Sequence, residues 1–95
     1  MKSIEVEYVT FRAAIRIDVD RGLLGWTSFV LNRAVLIEGV TVRKSLEGRY
    51  YLAFPEIRTS GRRRNFWVRP LDDRARRDIE QQVLAALGHP QGVAP

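Results

Sequence analysis

The sequence predicts an α+β fold, with an antiparallel β-sheet meander of about five strands followed by one C-terminal α-helix. Short apolar runs alternate with turn-forming residues along the first 70 residues, as in a sheet whose strands are joined by tight turns. Only residues 73–87 repeat apolar positions every three to four residues, which is the pattern of an amphipathic helix. With no internal repeat or shift in composition, residues 1–88 are predicted to form a single domain and residues 89–95 a flexible C-terminal tail.

The first strand is predicted from Ile4 to about Val19, where apolar and polar residues alternate. The parity of the alternation changes at Tyr8 and Val9, so we expect a bulge, bend or break at that point. Residues 18–22 have turn chemistry and separate this strand from the next.

The second and third strands are predicted on either side of a polar pair, Asn32 and Arg33, which is expected to form a hairpin tip. The flanking apolar runs cover residues 26–31 and 34–42. Gly39 interrupts the later run and predicts a bulge there.

A Leu-Glu-Gly turn leads to a fourth strand at 50–54 and, after a loop at 56–64, to a fifth strand at 65–69. Pro55 and Pro70 end these two strands, because proline lacks the N–H group that a strand ladder needs.

The helix is predicted to begin at Asp72 and Asp73, since acidic side chains suit an N-cap and a first turn. Gly88, with a proline two residues later, predicts its end. One apolar stripe should face the sheet: Ala75, Ile79, Val83 and Ala86 or Leu87.

A chain of 95 residues and 10.9 kDa builds only a small hydrophobic core, and pairing into a homodimer would stabilise it. Either of the apolar runs 26–31 and 34–42 could extend the sheet across a two-fold axis. The absence of cysteine excludes disulfides and thiolate zinc sites and fits a reducing compartment. No apolar run approaches the roughly 20 residues of a membrane helix and no secretion signal is visible, so a cytoplasmic protein with no membrane partner is expected.

Basic residues outnumber acidic ones by sixteen to eleven, and fourteen of the sixteen are arginine. The excess is local, because residues 43–77 contain eleven bases and four acids and so carry +7, whereas the rest of the chain carries −2. A polyanion such as nucleic acid is the first partner to expect for so positive a segment.

Catalytic chemistry has little support in the sequence. The single histidine, His89, stands in the predicted tail, and the acid pairs Glu5/Glu7 and Asp18/Asp20 have the spacing of solvated strand faces. No glycine-rich phosphate loop or metal-ligand cluster is visible, so we expect neither an enzyme nor a cofactor, a metal or a small-molecule substrate.

The loop between the last two predicted strands is dense in arginine. From Arg58 to Arg69 there are five arginines and no acid. Because the guanidinium fork donates two parallel hydrogen bonds to a phosphate, these side chains are candidates for nucleic-acid contacts. A solvated turn that keeps the chain soluble is the alternative interpretation. The candidates in this stretch are Arg58, Arg62, Arg63, Arg64 and Arg69.

The helix adds Arg74 and Arg77, which stand three residues apart and could face one phosphate backbone. Opposite charges four residues apart indicate a different role, a self-paired helix surface. The pairs with this spacing are Asp72/Arg76, Asp73/Arg77, Arg74/Asp78 and Arg76/Glu80.

Aromatic residues flank the arginine-rich loop and could either stack on bases or fill the core. Phe54 and Phe66 are predicted to pack in the core. For Tyr51 and Trp67 the sequence does not decide between the core, the surface and an interface.

The segment Tyr50–Pro55 followed by Arg58-Thr59 resembles the apolar-apolar-Ala-apolar-Pro and basic-Thr signature of the SpoVG family, the small bacterial septation and stage V sporulation regulators. The similarity covers most of residues 4–87 and is strongest over 50–84. Further matches lie at Glu5-Val6, Val9, Phe11-Arg12, Arg69-Pro70-Leu71, Arg76, Ile79 and Val83-Leu84.

The resemblance implies a dimeric protein with a β-sheet and a C-terminal helix that binds DNA, and in some members RNA. It implies a regulator of cell division and septation, sporulation or gene expression in the bacterial cytoplasm, including the nucleoid. Arg58 and Thr59 match the family's basic-Thr pair and carry over as binding residues. Where the family has a Pro-Asp-Gly-type turn, this chain has Ser-Gly-Arg-Arg-Arg at residues 60–64, so the resemblance does not establish a sequence preference, and the roles of Arg64 and Arg69 rest on charge alone.

We therefore expect a dimeric nucleic-acid-binding regulator that grips phosphates with its arginine-rich loop and the start of its helix. The alternative is a non-enzymatic protein–protein adaptor whose sheet and arginine surface dock an acidic partner. Such an adaptor would depend more on Trp26, Trp67 or Tyr51 than on the loop arginines.

Overall fold

The computed structural model describes residues 4–57 and 65–88. Within them the elements follow in the order β1 (Val6–Ala13), α1 (Arg16–Asp20), β2 (Leu23–Leu31), β3 (Val35–Lys44), β4 (Tyr50–Ala53), β5 (Glu56–Ile57), β6 (Asn65–Phe66) and α2 (Asp73–Ala86). Strands β1 to β4 form an antiparallel sheet in the order of the sequence, and β5 pairs with β6 in a separate two-stranded sheet. The predicted α+β class is confirmed, with four strands in the meander. The predicted tail at 89–95 lies outside the described residues.

The first strand is shorter than predicted. β1 ends at Ala13, and α1 follows at Arg16–Asp20, with the amide of Val19 donating to the carbonyl of Ile15 at 3.1 Å. No residue of α1 is buried. The prediction of a strand to Val19 is therefore wrong, because a short alternating run with no core to face is free to close local hydrogen bonds instead.

The predicted irregularity in β1 is confirmed. The register with β2 shifts between Glu7 and Thr10, and Tyr8 has a φ of 54°. The shift lets apolar residues on both sides of it, Val6 and Val9, pack against the same core.

The predicted hairpin tip and glycine bulge are also confirmed. Asn32 and Arg33 have φ values of 52° and 57°, which is the pair of left-handed residues that a type I′ turn requires. Gly39 has a φ of 76° where the register between β2 and β3 shifts.

Strands β2 and β3 are interior, because each pairs with a neighbour on both sides. The prediction that the run 26–31 or 34–42 could extend the sheet across a two-fold axis is therefore wrong, since neither has a free edge. The edges of the four-stranded sheet are β1 and β4.

The fifth predicted strand is also shorter than the sequence indicates. Only Asn65 and Phe66 form a ladder, and their partners are Glu56 and Ile57, which the sequence assigned to a loop. At the N-terminal end of β5, Pro55 precedes Glu56 and has no N–H to donate to a ladder.

The hydrophobic core lies between the sheet and α2. Buried residues from β2, β3 and β4 alternate with exposed or half-buried ones, and α2 adds its apolar stripe. The core residues are Phe29, Ile37, Val40, Val42, Leu52, Phe54, Ile79, Val83 and Leu84. The predicted stripe is thus confirmed at Ile79 and Val83. Of the two alternatives at its end, Leu87 packs against the core and Ala86 is exposed.

Helix α2 begins and ends as predicted. The carboxylate of Asp72 caps it by accepting from the amide of Ala75 at 2.8 Å. At the other end Gly88 has a φ of 81°, a conformation that glycine adopts without a Cβ penalty.

Two polar side chains of α2 bind the backbone of both edge strands. Glu80 accepts from the amide of Leu52 in β4 at 3.0 Å. Gln82 accepts from the amide of Val6 in β1 at 3.0 Å and donates to the carbonyl of Ile4 at 2.7 Å. These contacts hold the helix across the sheet from one edge to the other.

The opposite side of the four-stranded sheet, here called the outer face, points away from α2. The strand register places four of its residues in one cross-strand row: Arg12, Trp26, Thr41 and Ala53. Next to this row, Arg43 of β3 pairs with Tyr51 of β4. Within residues 4–57 and 65–88, no helix is long and apolar enough to cross a membrane.

Candidate nucleic-acid interface

The β5–β6 pair forms the base of the arginine-rich loop. Ile57 and Asn65 are partners in the ladder, and seven residues, 58–64, join them in the sequence. Five candidate binding residues, Arg58, Thr59, Arg62, Arg63 and Arg64, belong to this segment and lie outside the described residues. The structure thus defines where the loop is attached to the fold.

A cleft of about 340 Å³ lies between the end of β4, the β5–β6 pair and the start of α2. Its lining includes Phe54 and Phe66 from the strands, Arg69 from the connection and Arg76 from the helix. The base of the loop and the first turns of α2 therefore line one cleft.

Arg69 lies in the connection between β6 and α2, and its side chain is exposed. Two apolar neighbours in this connection are also open to solvent, with exposed fractions of 74% for Trp67 and 88% for Leu71. The connection therefore offers a cation and an exposed aromatic side chain, which is the combination that proteins use to bind single-stranded nucleic acid.

The three arginines at the start of α2 differ in their contacts. The guanidinium of Arg76 lies 3.2 Å from Oε1 of Glu80 and 3.7 Å from Oδ1 of Asp73. Arg74 and Arg77 are exposed, and neither forms an ion pair with any of the described residues. Of the arginines on this helix, Arg74 and Arg77 are therefore the two open to an external anion.

Only one of the four predicted i, i+4 ion pairs of the helix is formed among the described residues, that of Arg76 with Glu80. The carboxylate of Asp72 is used as the N-cap, and that of Asp78 accepts from Nε2 of Gln82 at 2.9 Å. The self-paired helix surface is thus confirmed for Arg76, while the acids nearest to Arg74 and Arg77 are engaged elsewhere.

Glu80 is the most unusual group of this region. It is only 2% exposed, yet both carboxylate oxygens have partners, Arg76 on one side and the amide of Leu52 on the other. A buried carboxylate with these partners holds Arg76 in place, so Arg76 has a structural role here.

The aromatic predictions are resolved by the burial of each ring. Phe54 is buried, and Phe66 is half-buried and packs against the core, as predicted. Tyr51 is half-buried on the outer face, and Trp67 is exposed. Neither of these two belongs to the core.

The sequence did not single out the contact of Arg12 with Trp26. The guanidinium carbon lies 4.8 Å from the centroid of the indole, in the range of a cation–π contact. The available signal was the alternation within each strand, but the contact also needs the register of β1 against β2, which the shift near Tyr8 obscures.

Comparisons of the chain with protein-family models and with curated proteins found no match. Membership of the SpoVG family stays a prediction that depends on the motifs at residues 50–84.

Proposed function

We propose that the protein is a dimeric nucleic-acid-binding regulator that holds phosphates with its arginine-rich loop and the adjoining start of α2. The residues assigned to this contact are Arg58, Thr59, Arg62, Arg63, Arg64, Arg69, Arg74 and Arg77. The observation that carries the proposal is the difference between Arg76, which is held by two acids, and its exposed neighbours Arg74 and Arg77.

This difference matters because of what a phosphate must displace. An anion that binds Arg74 or Arg77 replaces water and counterions only, so counterion release supplies the free energy. An anion at Arg76 would have to compete with the buried carboxylate of Glu80.

The proposed dimer would double the number of phosphate contacts. If each protomer neutralises three or four phosphates, the dimer neutralises about six to eight, and affinity should fall by about 10³-fold or more between 50 and 200 mM salt. Analytical ultracentrifugation measures the oligomeric state, and binding to duplex DNA, single-stranded DNA and RNA by fluorescence anisotropy measures the salt dependence.

The decisive variants are a matched pair that removes two positive charges in each case. Arg74→Ala with Arg77→Ala should lower affinity and reduce the salt slope by about 1.8 per protomer on duplex DNA. Arg16→Ala with Arg33→Ala removes two exposed arginines, one in α1 and one in the turn between β2 and β3, and should leave the slope nearly unchanged. Equal effects of the two pairs would contradict the assigned site.

The loop is tested separately. Replacing Arg62, Arg63 and Arg64 together with Ala should lower the slope by about 2.7 per protomer on duplex DNA, because three phosphate contacts are lost. An unchanged slope would remove the loop from the proposal, and no binding to any of the three polymers near physiological salt would overturn the function.

One observation favours the adaptor as a second candidate. Trp67 and Leu71 are 74% and 88% exposed, and large exposed apolar side chains are common where proteins dock. Trp67→Ala should abolish capture of an acidic protein partner under this alternative, while the loss of the loop arginines should matter less.

A further inference from the structure

The outer face of the four-stranded sheet has features that the proposed phosphate contacts do not use. Trp26 lies near its centre with Arg12 stacked on it, and Tyr51 lies on β4 beside Arg43. We propose that this face binds single-stranded nucleic acid by stacking unpaired bases on Trp26 and Tyr51. This inference rests on the proposed function and names its substrate class.

The shape of the outer face suits a single strand better than a duplex. A duplex admits a helix or a two-stranded ribbon into its major groove, which is about 12 Å wide. Four paired strands about 4.8 Å apart span about 14 Å, too wide for that groove, and the faces of paired bases are hidden in a duplex. An open sheet with aromatic side chains suits the exposed base faces of a single strand.

The two aromatic residues are spaced so that each can hold a base of its own. Trp26 pairs with Thr41, which pairs with Ala53, and Tyr51 lies two residues before Ala53 on the same strand. Two strand spacings and two residues of strand rise separate the backbones of Trp26 and Tyr51 by about 12 Å. One base cannot contact both rings, so each ring would hold a base of its own.

Polar groups surround Trp26 on the outer face. A shallow depression of about 330 Å³ is lined by Thr10, Arg12, Trp26, Ser28 and Glu38, among others. The hydroxyls of Thr10 and Ser28 lie 2.6 Å apart, and with the carboxylate of Glu38 they can donate to and accept from the edges of a base. The depression thus combines a stacking surface with polar groups, at the lower end of the roughly 300–1,000 Å³ of ligand sites.

The charges favour nucleic acid over a second protein as the occupant. Arg12 and Arg43 flank the two aromatic rings, and both are complementary to a phosphate backbone. The centre of a protein–protein interface is depleted of charged residues, whereas on this surface an arginine lies beside each of the two aromatic residues. Arginine beside an aromatic ring is also a stacking partner for a base in its own right.

The test uses the two tryptophans of the chain. Trp67→Phe leaves Trp26 as the only tryptophan, and its fluorescence is followed while unlabelled oligothymidine is added. Stacking on Trp26 should quench this fluorescence at the same concentration at which the anisotropy of a labelled strand rises. Binding by anisotropy with no change in Trp26 emission would overturn the inference and leave the proposed function standing.

Variants give a second, independent measurement. Trp26→Ala and Tyr51→Ala should each weaken binding of single-stranded DNA or RNA by about 5- to 150-fold, which corresponds to about 1–3 kcal/mol per stacked base. Trp26→Phe should recover part of the loss, and Leu36→Ala, an exposed apolar change at the other end of the sheet, should have no effect. Circular dichroism and thermal melting verify that each variant is folded.

The outcomes separate the two proposals. Equal binding of wild type and both alanine variants, or a preference for duplex over single strands, would reject the outer face while the arginine site stands. A lack of binding to any nucleic acid would overturn both.

Discussion

The two faces of the four-stranded sheet differ in the residues they carry, although they are built from the same strands. The inner face carries apolar residues that are closed over by α2, and the polar groups of the helix that reach it, from Glu80 and Gln82, are all hydrogen-bonded. The outer face carries Arg12, Trp26 and Tyr51, which are half-buried or exposed and lie on the side away from α2. At Tyr51, Val19 and Asp20 of α1 line the same depression. Because successive side chains of a strand point to opposite sides, stability and binding can be altered separately, one residue apart.

A substitution at Gly25 should disturb the sheet itself, and we expect it to have the largest effect on the free energy of unfolding. A Cβ atom there would overlap the carbonyl oxygen of Arg12 and come within 2.7 Å of the ring of Phe11. Gly25→Ala should lower the free energy of unfolding by about 3 kcal/mol, measured by urea denaturation, because the backbone of β1 must move. Ser28→Ala, on the outer face of the same strand, should change it by less than about 0.5 kcal/mol. Equal losses would mean that the close approach at Gly25 does not constrain the sheet.

Glu80 allows the stability of the inner face to be tested from α2. Glu80→Ala leaves the buried amide of Leu52 without its acceptor and frees Arg76, so we expect a loss of about 2 kcal/mol in the free energy of unfolding. Glu80→Gln keeps an acceptor for the amide and should lose less. A variant Glu80→Ala as stable as wild type would show that the carboxylate is not needed to hold α2 on β4.

Gln82 is expected to have a smaller effect at the opposite edge. Gln82→Ala removes two hydrogen bonds to the backbone of residues 4 and 6, which are only partly buried, so the expected loss is about 1 kcal/mol. The amide of Val6 should also exchange with solvent faster, as seen by hydrogen-exchange NMR. Gln81→Ala, the exposed neighbour, is the control and should leave both measurements unchanged.

Arg77 should have the smallest effect on folding. Arg77→Ala removes an exposed side chain with no ion pair among the described residues, so the free energy of unfolding should change by less than about 0.5 kcal/mol. Its affinity for nucleic acid should nevertheless fall. A destabilisation of 1 kcal/mol or more would indicate that Arg77 supports the fold instead of a bound phosphate.

Local patterns predicted much of this fold. Turn residues located the hairpin at Asn32 and Arg33, and the acid at Asp72 located the start of α2. These signals are legible because they depend only on neighbours in the chain. The helix α1 was missed because three alternating apolar residues without a core to face do not determine a strand.

Less of the candidate site could be predicted from local sequence patterns. The loop arginines and the helix arginines could be listed, but the engagement of Arg76 depends on the burial of Glu80, a charged residue that the helical pattern assigns to solvent. The burial of Glu80 depends on the amide of Leu52 at the edge of β4, which donates to its carboxylate. This contact forms only when the sheet is assembled. The row formed by Arg12 and Trp26 likewise requires the register between two strands.

The contacts of Glu80 and Gln82 have a consequence for the behaviour of the protein at high concentration. An edge strand with free N–H and C=O groups recruits strands from other molecules and is a starting point for aggregation. In this chain one helix side chain binds backbone groups at each of the two edges. Glu80 binds the amide of Leu52 in β4, and Gln82 binds the amide of Val6 in β1 and the carbonyl of Ile4, which precedes that strand. An incoming strand would have to displace α2 before it could pair there, so the helix that completes the core also guards the sheet against edge-to-edge aggregation.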